Sequence, residues 1–139
     1  MSDLETARRC AERMYASDEA SRALGITVTI DQPGDAIASM QVRADMVNGF
    51  GVCHGGLIFT LADTAFAFAC NAYDQVSVAA TAHIEFLRPA KLDDTLSARA
   101  QEEHRGRKSG VYSIVVENQA GEQVALFRGR SASLGEKLL

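Results

Sequence analysis

The segment LIFTLADTAFAFAC, residues 57 to 70, constrains the fold more than any other stretch of this chain. Read as a helix from about 55 to 72, it is apolar on nearly every side. Such a helix cannot lie on a surface and must be wrapped by other elements or by a partner. Thr60, Asp63 and Thr64 interrupt it, and the run is too short to span a bilayer. At 100° per residue those three residues share one face, continued by Ala67 and Asn71. A carboxylate is almost never fully buried without a partner. Two readings of the stripe therefore stand side by side. Neighbouring hydroxyls and backbone donors satisfy Asp63, or an apolar wall tunes its pKa for catalysis.

The rest of the chain supplies the wrapping. Residues 2 to 16 read as an amphipathic helix, opened by the capping box of Ser2 and Glu5, with Leu4, Ala7, Ala11, Met14 and Tyr15 on one face. Strands are expected at about 24–31 and 36–43, joined through DQPGD, with a loop at 44–53. After Tyr73 the period changes. VSVAATAHIEFLRPA, 76 to 90, alternates with Val76, Val78, Ala80, Ala82, Ile84 and Phe86 on one face, and Pro89 ends it. Strands at about 95–104, 110–118 and 123–134 follow, separated by the turns KLDD, RGRKSG and QAGE. Sequential strands joined by short turns predict an antiparallel sheet. The expected class is α+β, one domain over 1–139 with its N-terminal helix inside 1–18.

Composition narrows the partners. A net charge of -4 argues against nucleic acid, which needs clustered cations, but leaves room for a small anion held by local Arg and Lys. Three cysteines, Cys10, Cys53 and Cys70, form no zinc spacing with the histidines, so no metal is expected and the thiols read as reduced. MSDLETARRC carries no apolar signal segment, and a soluble cytoplasmic protein is the expectation.

His54-Gly55-Gly56 stands at the entry of the long helix. Glycine lets a ligand approach the backbone, and the first helical turn has unpaired N–H groups at the positive end of the dipole. A polarised carbonyl or developing oxyanion would be stabilised there. Gly55 and Asp63 are eight residues apart, roughly 12 Å along one helix. One small carbonyl cannot touch both. Either they serve separate tasks, or two antiparallel helices of a two-fold dimer bring Gly55 of one chain to Asp63 of the other.

Asn48, the His54-Gly55-Gly56 triplet and Asp63, on a long apolar helix followed by FLRPA, resemble the hotdog-fold acyl-CoA thioesterases. The likeness is to the phenylacetate-pathway type of the 4-hydroxybenzoyl-CoA thioesterase superfamily, over roughly residues 20 to 135. It implies a curved antiparallel sheet wrapped around one central helix, and dimers commonly paired into tetramers. By resemblance Asp63 is the catalytic carboxylate, as general base or nucleophile. Gly55 supplies the N–H that polarises the thioester carbonyl, His54 and Asn48 orient thioester and water, and Gly56 and Thr64 line the substrate. No cofactor is implied, since coenzyme A is part of the substrate. An arylacetyl group is implied, with short or medium acyl chains as the alternative.

Arg88, Arg107 and Lys108, on an acidic chain, are candidates for the phosphates of the nucleotide end. Leu57, Phe59, Leu61, Phe66 and Phe68 offer apolar material for an acyl pocket. His83, beside Glu85, and His104 read as surface residues. Cys53 reads as a small buried residue rather than a nucleophile. Two competing functions fit the sequence less well. A hydratase of the same fold would carry D-x4-H, but the residue five after Asp63 is Phe68. A non-catalytic acyl-CoA sensor would not need Asp63 in the stripe.

Overall fold

The computed structural model describes residues 1–139. The N-terminal helix α1 spans Asp3–Ser17, with Ser2 and Glu5 forming the reciprocal cap read from the sequence. A short helix α2, Glu19–Ala23, follows directly. Strands β1, Thr27–Gln32, and β2, Asp35–Gln41, form a hairpin in which Gly34 takes a positive φ of 86°. The expected loop at 44–53 contains a 3-10 turn, Ala44–Met46. The central helix α3 is Gly55–Cys70, followed by β3 Ser77–Phe86, β4 Thr95–Arg105, β5 Ser109–Glu117 and β6 Gln123–Ser133.

All six strands join one antiparallel sheet in the order β1-β2-β4-β5-β6-β3. The class is α+β, and a sheet wraps one long helix as expected. Strand order differs from the expectation. KLDD does not fold β4 back onto β3, and the two strands lie three places apart. The connection crosses beneath the start of α3 and pairs with the loops there. Ala90 accepts from the Cys53 N–H at 2.8 Å, and Val42 exchanges hydrogen bonds with Asp93 and Asp94. These ties carry the chain from the sheet edge to its middle.

A second correction concerns β3. Its register slips between Ala79 and Thr81, leaving Ala80 as a bulge. One extra residue reverses the facing of everything beyond it. Val78 therefore lies opposite Ala132, whereas Ala82, Ile84 and Phe86 lie opposite Gly129, Phe127 and Ala125. The continuous apolar face expected from Val76 to Phe86 is broken at Ala80.

The sheet is wider than its helix. α3 packs chiefly over β2, β4 and β5, where Ala38, Leu96, Ala98, Ile114 and Val116 are buried. The β3 edge is left uncovered on its helix-facing side, and Phe86 is 53% exposed. At the opposite edge α1 covers β1. Tyr15 donates its hydroxyl to the Ile26 carbonyl at 2.6 Å, and Arg8 Nε donates to Ile30 at 3.3 Å. One sheet edge is thus protected and the other open.

Candidate active site

Packing splits the polar stripe of α3 in two. Thr64 and Asn71 turn inward, at 7% and 5% exposure. The Asn71 amide bonds to Ala67 and to both backbone groups of Ser77, which ties the end of α3 to β3. Thr64 donates to the Thr60 carbonyl at 2.7 Å, and Thr60 donates to Gly56 at 2.9 Å. Both threonine protons are taken by carbonyls one turn back. They do not reach Asp63. The reading in which neighbouring hydroxyls satisfy the carboxylate does not hold.

Gly56, Thr60, Asp63 and Ala67 form the less covered stripe of the helix, while Phe59 stacks edge-on against Phe127 of β6. Burial alone raises the Asp63 pKa above its ordinary range, and neither a hydrogen bond nor a charge within the chain offsets it. The carboxylate is half-buried, unpaired and open on one side.

The helix entry is equally specific. His54 is the N-cap, and its Nδ1 accepts the Gly56 N–H at 3.1 Å. In the neutral ring the proton therefore sits on Nε2, free to donate. The His54 carbonyl accepts from Leu57 at 2.9 Å and Ile58 at 3.4 Å. Of the first four N–H groups of α3, three are thus engaged, and Gly55 alone is free. Asn48 Oδ1 accepts from Phe50 at 2.9 Å and Val52 at 3.3 Å, which shapes the loop and leaves its amide N–H groups available. A shallow apolar groove of Val52, Ile58, Phe86 and Leu87 runs past Gly55 to Arg88 and Pro89.

The predicted residues fall into separate groups. Asn48, His54, Gly55 and Gly56 gather at the N-terminus of α3. Asp63 lies two turns away, as helix arithmetic requires. Arg88 forms an ion pair with Glu122 in the β5–β6 turn. Arg107 and Lys108 lie exposed in the β4–β5 turn, at the opposite end of β5. Nine residues of strand put these two cation sites about 27 Å apart. A single protomer cannot bring both to one nucleotide. Of the five side chains offered for an acyl pocket, Leu61, Phe66 and Phe68 belong to the protomer's own core, and Leu57 and Phe59 are half-exposed.

Two features escaped the sequence reading. Phe86 touches Gly55, an encounter across the sheet with no local signature. Glu102 Oε1 accepts from Tyr73 and Tyr112, each at 2.8 Å, and the Arg105 guanidinium lies 3.6 Å over the Tyr73 ring. Glu102 continues the inward row of Leu96, Ala98 and Ala100, but the two tyrosine hydroxyls that meet it come from elsewhere in the chain and leave no local signal. All three cysteines are free and buried, and burial lifts the Cys70 thiol to about 12.

Known proteins resemble this chain in sequence and fold. Residues 50–125 match the thioesterase superfamily. The acyl-coenzyme A thioesterase PaaI of Escherichia coli (strain K12) is 48% identical over 125 residues, covering 90% of this chain and 89% of that protein. The solved structure of E. coli PaaI, from the phenylacetic acid degradation operon, superposes with a TM-score of 0.96 at 46% identity, over 98% of this chain and 99% of that one. A Streptococcus mutans protein solved with acetyl-CoA bound gives a TM-score of 0.77 at 28% identity, over 81% and 90% of the two chains.

Proposed function

Because the chain belongs to the thioesterase superfamily, with the hotdog fold, we propose that it is an acyl-CoA thioesterase releasing free coenzyme A and a carboxylic acid, with arylacetyl-CoA the preferred substrate class. The observation that carries the reading is the pairing of an unpartnered, half-buried Asp63 with a helix entry whose one free N–H is that of Gly55. The thioester oxygen accepts from Gly55 N–H. Charge building on that oxygen is stabilised by the donor and by the helix dipole, and one such donor is typically worth about 10²–10³ in rate. Asp63 takes a proton from water as that water attacks the carbonyl carbon; collapse of the tetrahedral intermediate breaks the C–S bond, and coenzyme A leaves as the thiol with the proton that Asp63 returns. A carboxylate with a raised pKa is the better base near neutrality. The Asn48 amide and His54 Nε2–H hold water and thioester in line.

The roughly 12 Å between Gly55 and Asp63 along one helix supports a site shared between two chains. The uncovered stripe of α3 and the open concave side of β3 suit a second α3, antiparallel to the first, with Gly55 of each chain facing Asp63 of the other. The functional assembly in this reading is a homodimer with two equivalent sites, paired into a homotetramer. The chain acts as one domain over 1–139, in the cytoplasm, without a cofactor. No helix is long and apolar enough to cross a membrane. Arg88, or the partner's Arg107 and Lys108, meets the nucleotide phosphates. Gly56 and Thr64 serve the site through the backbone, as its open floor and as a tie within the helix.

Release of free thiol from a panel of acyl-CoA esters tests the reading. Hydrolysis fastest with phenylacetyl-CoA and its ring-substituted forms is the expected result. Binding without thiol release would assign a sensor, and water addition to an enoyl-CoA would assign a hydratase. Transfer of heavy oxygen from solvent into Asp63 during a single turnover would replace the general base with a nucleophile.

A further inference from the structure

Gly55 is not a glycine for its backbone, since its φ lies outside the left-handed range. Its side-chain place is crowded, so that a neighbouring ring would have to yield by a few tenths of an ångström to any larger residue. A Cβ added there would lie 3.3 Å from Cζ of Phe86, 3.5 Å from Cε1 and 3.8 Å from Cε2. Phe86 closes β3, thirty-one residues further along the chain. Its cross-strand neighbour Ala125 and the next in that row, Val116, are buried, yet the Phe86 ring is half-exposed. The ring leaves the core and lies along the entry of α3.

The backbone donors that flank Gly55 in that groove are engaged. Cys53 N–H goes to Ala90, Leu87 and Arg88 N–H go to Val124, and Val52 N–H goes to Asn48. The Cys53 thiol points to the His54 carbonyl at 3.7 Å, and the Arg88 guanidinium is paired with Glu122. Among the first four N–H groups of α3 only that of Gly55 is left free, and the Phe86 ring lines the groove beside it. We propose that Phe86 is a positioning residue for thioester hydrolysis, whose ring screens the Gly55 N–H from water and fixes the side from which the carbonyl oxygen reaches it. This rests on the reading of Gly55 as the carbonyl donor. The physical basis is that a donor already bonded to mobile water gains little by exchanging it. A donor held in a dry, shaped site gives its full effect on developing charge.

The test is steady-state kinetics with phenylacetyl-CoA on Phe86→Leu, Phe86→Val and Phe86→Ala, each checked for oligomer mass. Expected is a graded fall in kcat with lost bulk, reaching about ten- to hundredfold in the Ala variant, with KM within about threefold of wild type. Gly55→Ala should lower kcat in the wild-type background, where the added methyl displaces the ring, and have no further effect in Phe86→Ala. Where Phe86→Ala loses its assembly, Phe86→Val carries the test. An unchanged kcat in an assembled Val or Ala variant overturns the proposal, as does a loss confined to KM or additive effects of the two substitutions. Gly55→Pro separates this from the underlying reading. Wild-type kcat in Gly55→Pro removes the Gly55 donor itself, whereas a dead Gly55→Pro beside a fully active Phe86→Ala removes only the role of Phe86.

Discussion

Asp63 and Gly55 are single residues whose surroundings set opposite demands. Burial without a partner holds the Asp63 carboxyl above its ordinary 3.8. Working as a base it must be ionised, so kcat/KM should fall in acid with a midpoint above that ordinary value. Between the unfolded and folded pKa values the folded state binds more protons. The favourable contribution is therefore complete below the unfolded value and lost as pH rises through the folded one. Asp63→Asn cannot ionise. It should lose about 10²–10⁴ in rate and yet melt above wild type near neutral pH, the difference closing below about pH 4. Thermal melts of both proteins across pH decide it, and a variant less stable near neutrality would contradict the burial argument. At Gly55 the useful change is to proline. Position one of a helix tolerates proline, and His54, at φ -60° and ψ 130°, already has a conformation proline accepts before it. Gly55→Pro should keep the fold and lower kcat by about 10²–10³, with Gly55→Ala as the variant that adds bulk but retains the N–H.

Among the elements, α3 and β6 meet through one permissive residue. A Cβ on Gly129 would come within 2.8 Å of the Phe66 ring, which also lies against Tyr112 and Phe127 at centroid distances of 5.6 and 5.9 Å. The strand tolerates the loss of a side chain there so that the helix can lie close to the sheet. Gly129→Ala should destabilise the protein by about 1–3 kcal/mol through overpacking. Denaturant unfolding measures this, and a neutral result would mean that Phe66 has room to turn. The element pattern itself was largely legible. Apolar runs, turn residues and the capping box located every strand and both long helices within a few residues. The short helix α2 was not, because five residues carry too little periodicity to read. The facing of β3 was misread because a bulge at Ala80 is set by pairing with β6, not by the residues of β3.

At the scale of the whole molecule, the mismatch between a wide sheet and one helix is the main consequence of the sequence. α3 leaves the β3 edge and its own Asp63 stripe open, and in the proposed assembly a second chain completes them. Complementation tests the shared site directly. Asp63→Asn and Gly55→Pro homodimers should each be inactive, whereas co-expressed heterodimers purified by two tags should regain about half of wild-type activity. One of their two sites then draws an intact Gly55 from one chain and an intact Asp63 from the other. Heterodimers as inactive as their parents would place both groups in one chain's site, against the helix geometry.

The sequence alone determined the apolar helix, its single acid, the glycine entry and the antiparallel strands, because these follow from local periodicity, capping and turn chemistry. The distance between Gly55 and Asp63 was also legible, since a helix has a fixed rise per residue. Tertiary structure alone decided the rest. It turned Thr64 and Asn71 inward while leaving Asp63 open, since only packing against the sheet selects which arc of a nearly uniform helix is covered. It separated Arg88 from Arg107 and Lys108, since strand order is set by a crossover that no turn residue encodes. It laid the Phe86 ring on Gly55, since contact between positions far apart in the chain is settled by how the sheet closes around its helix.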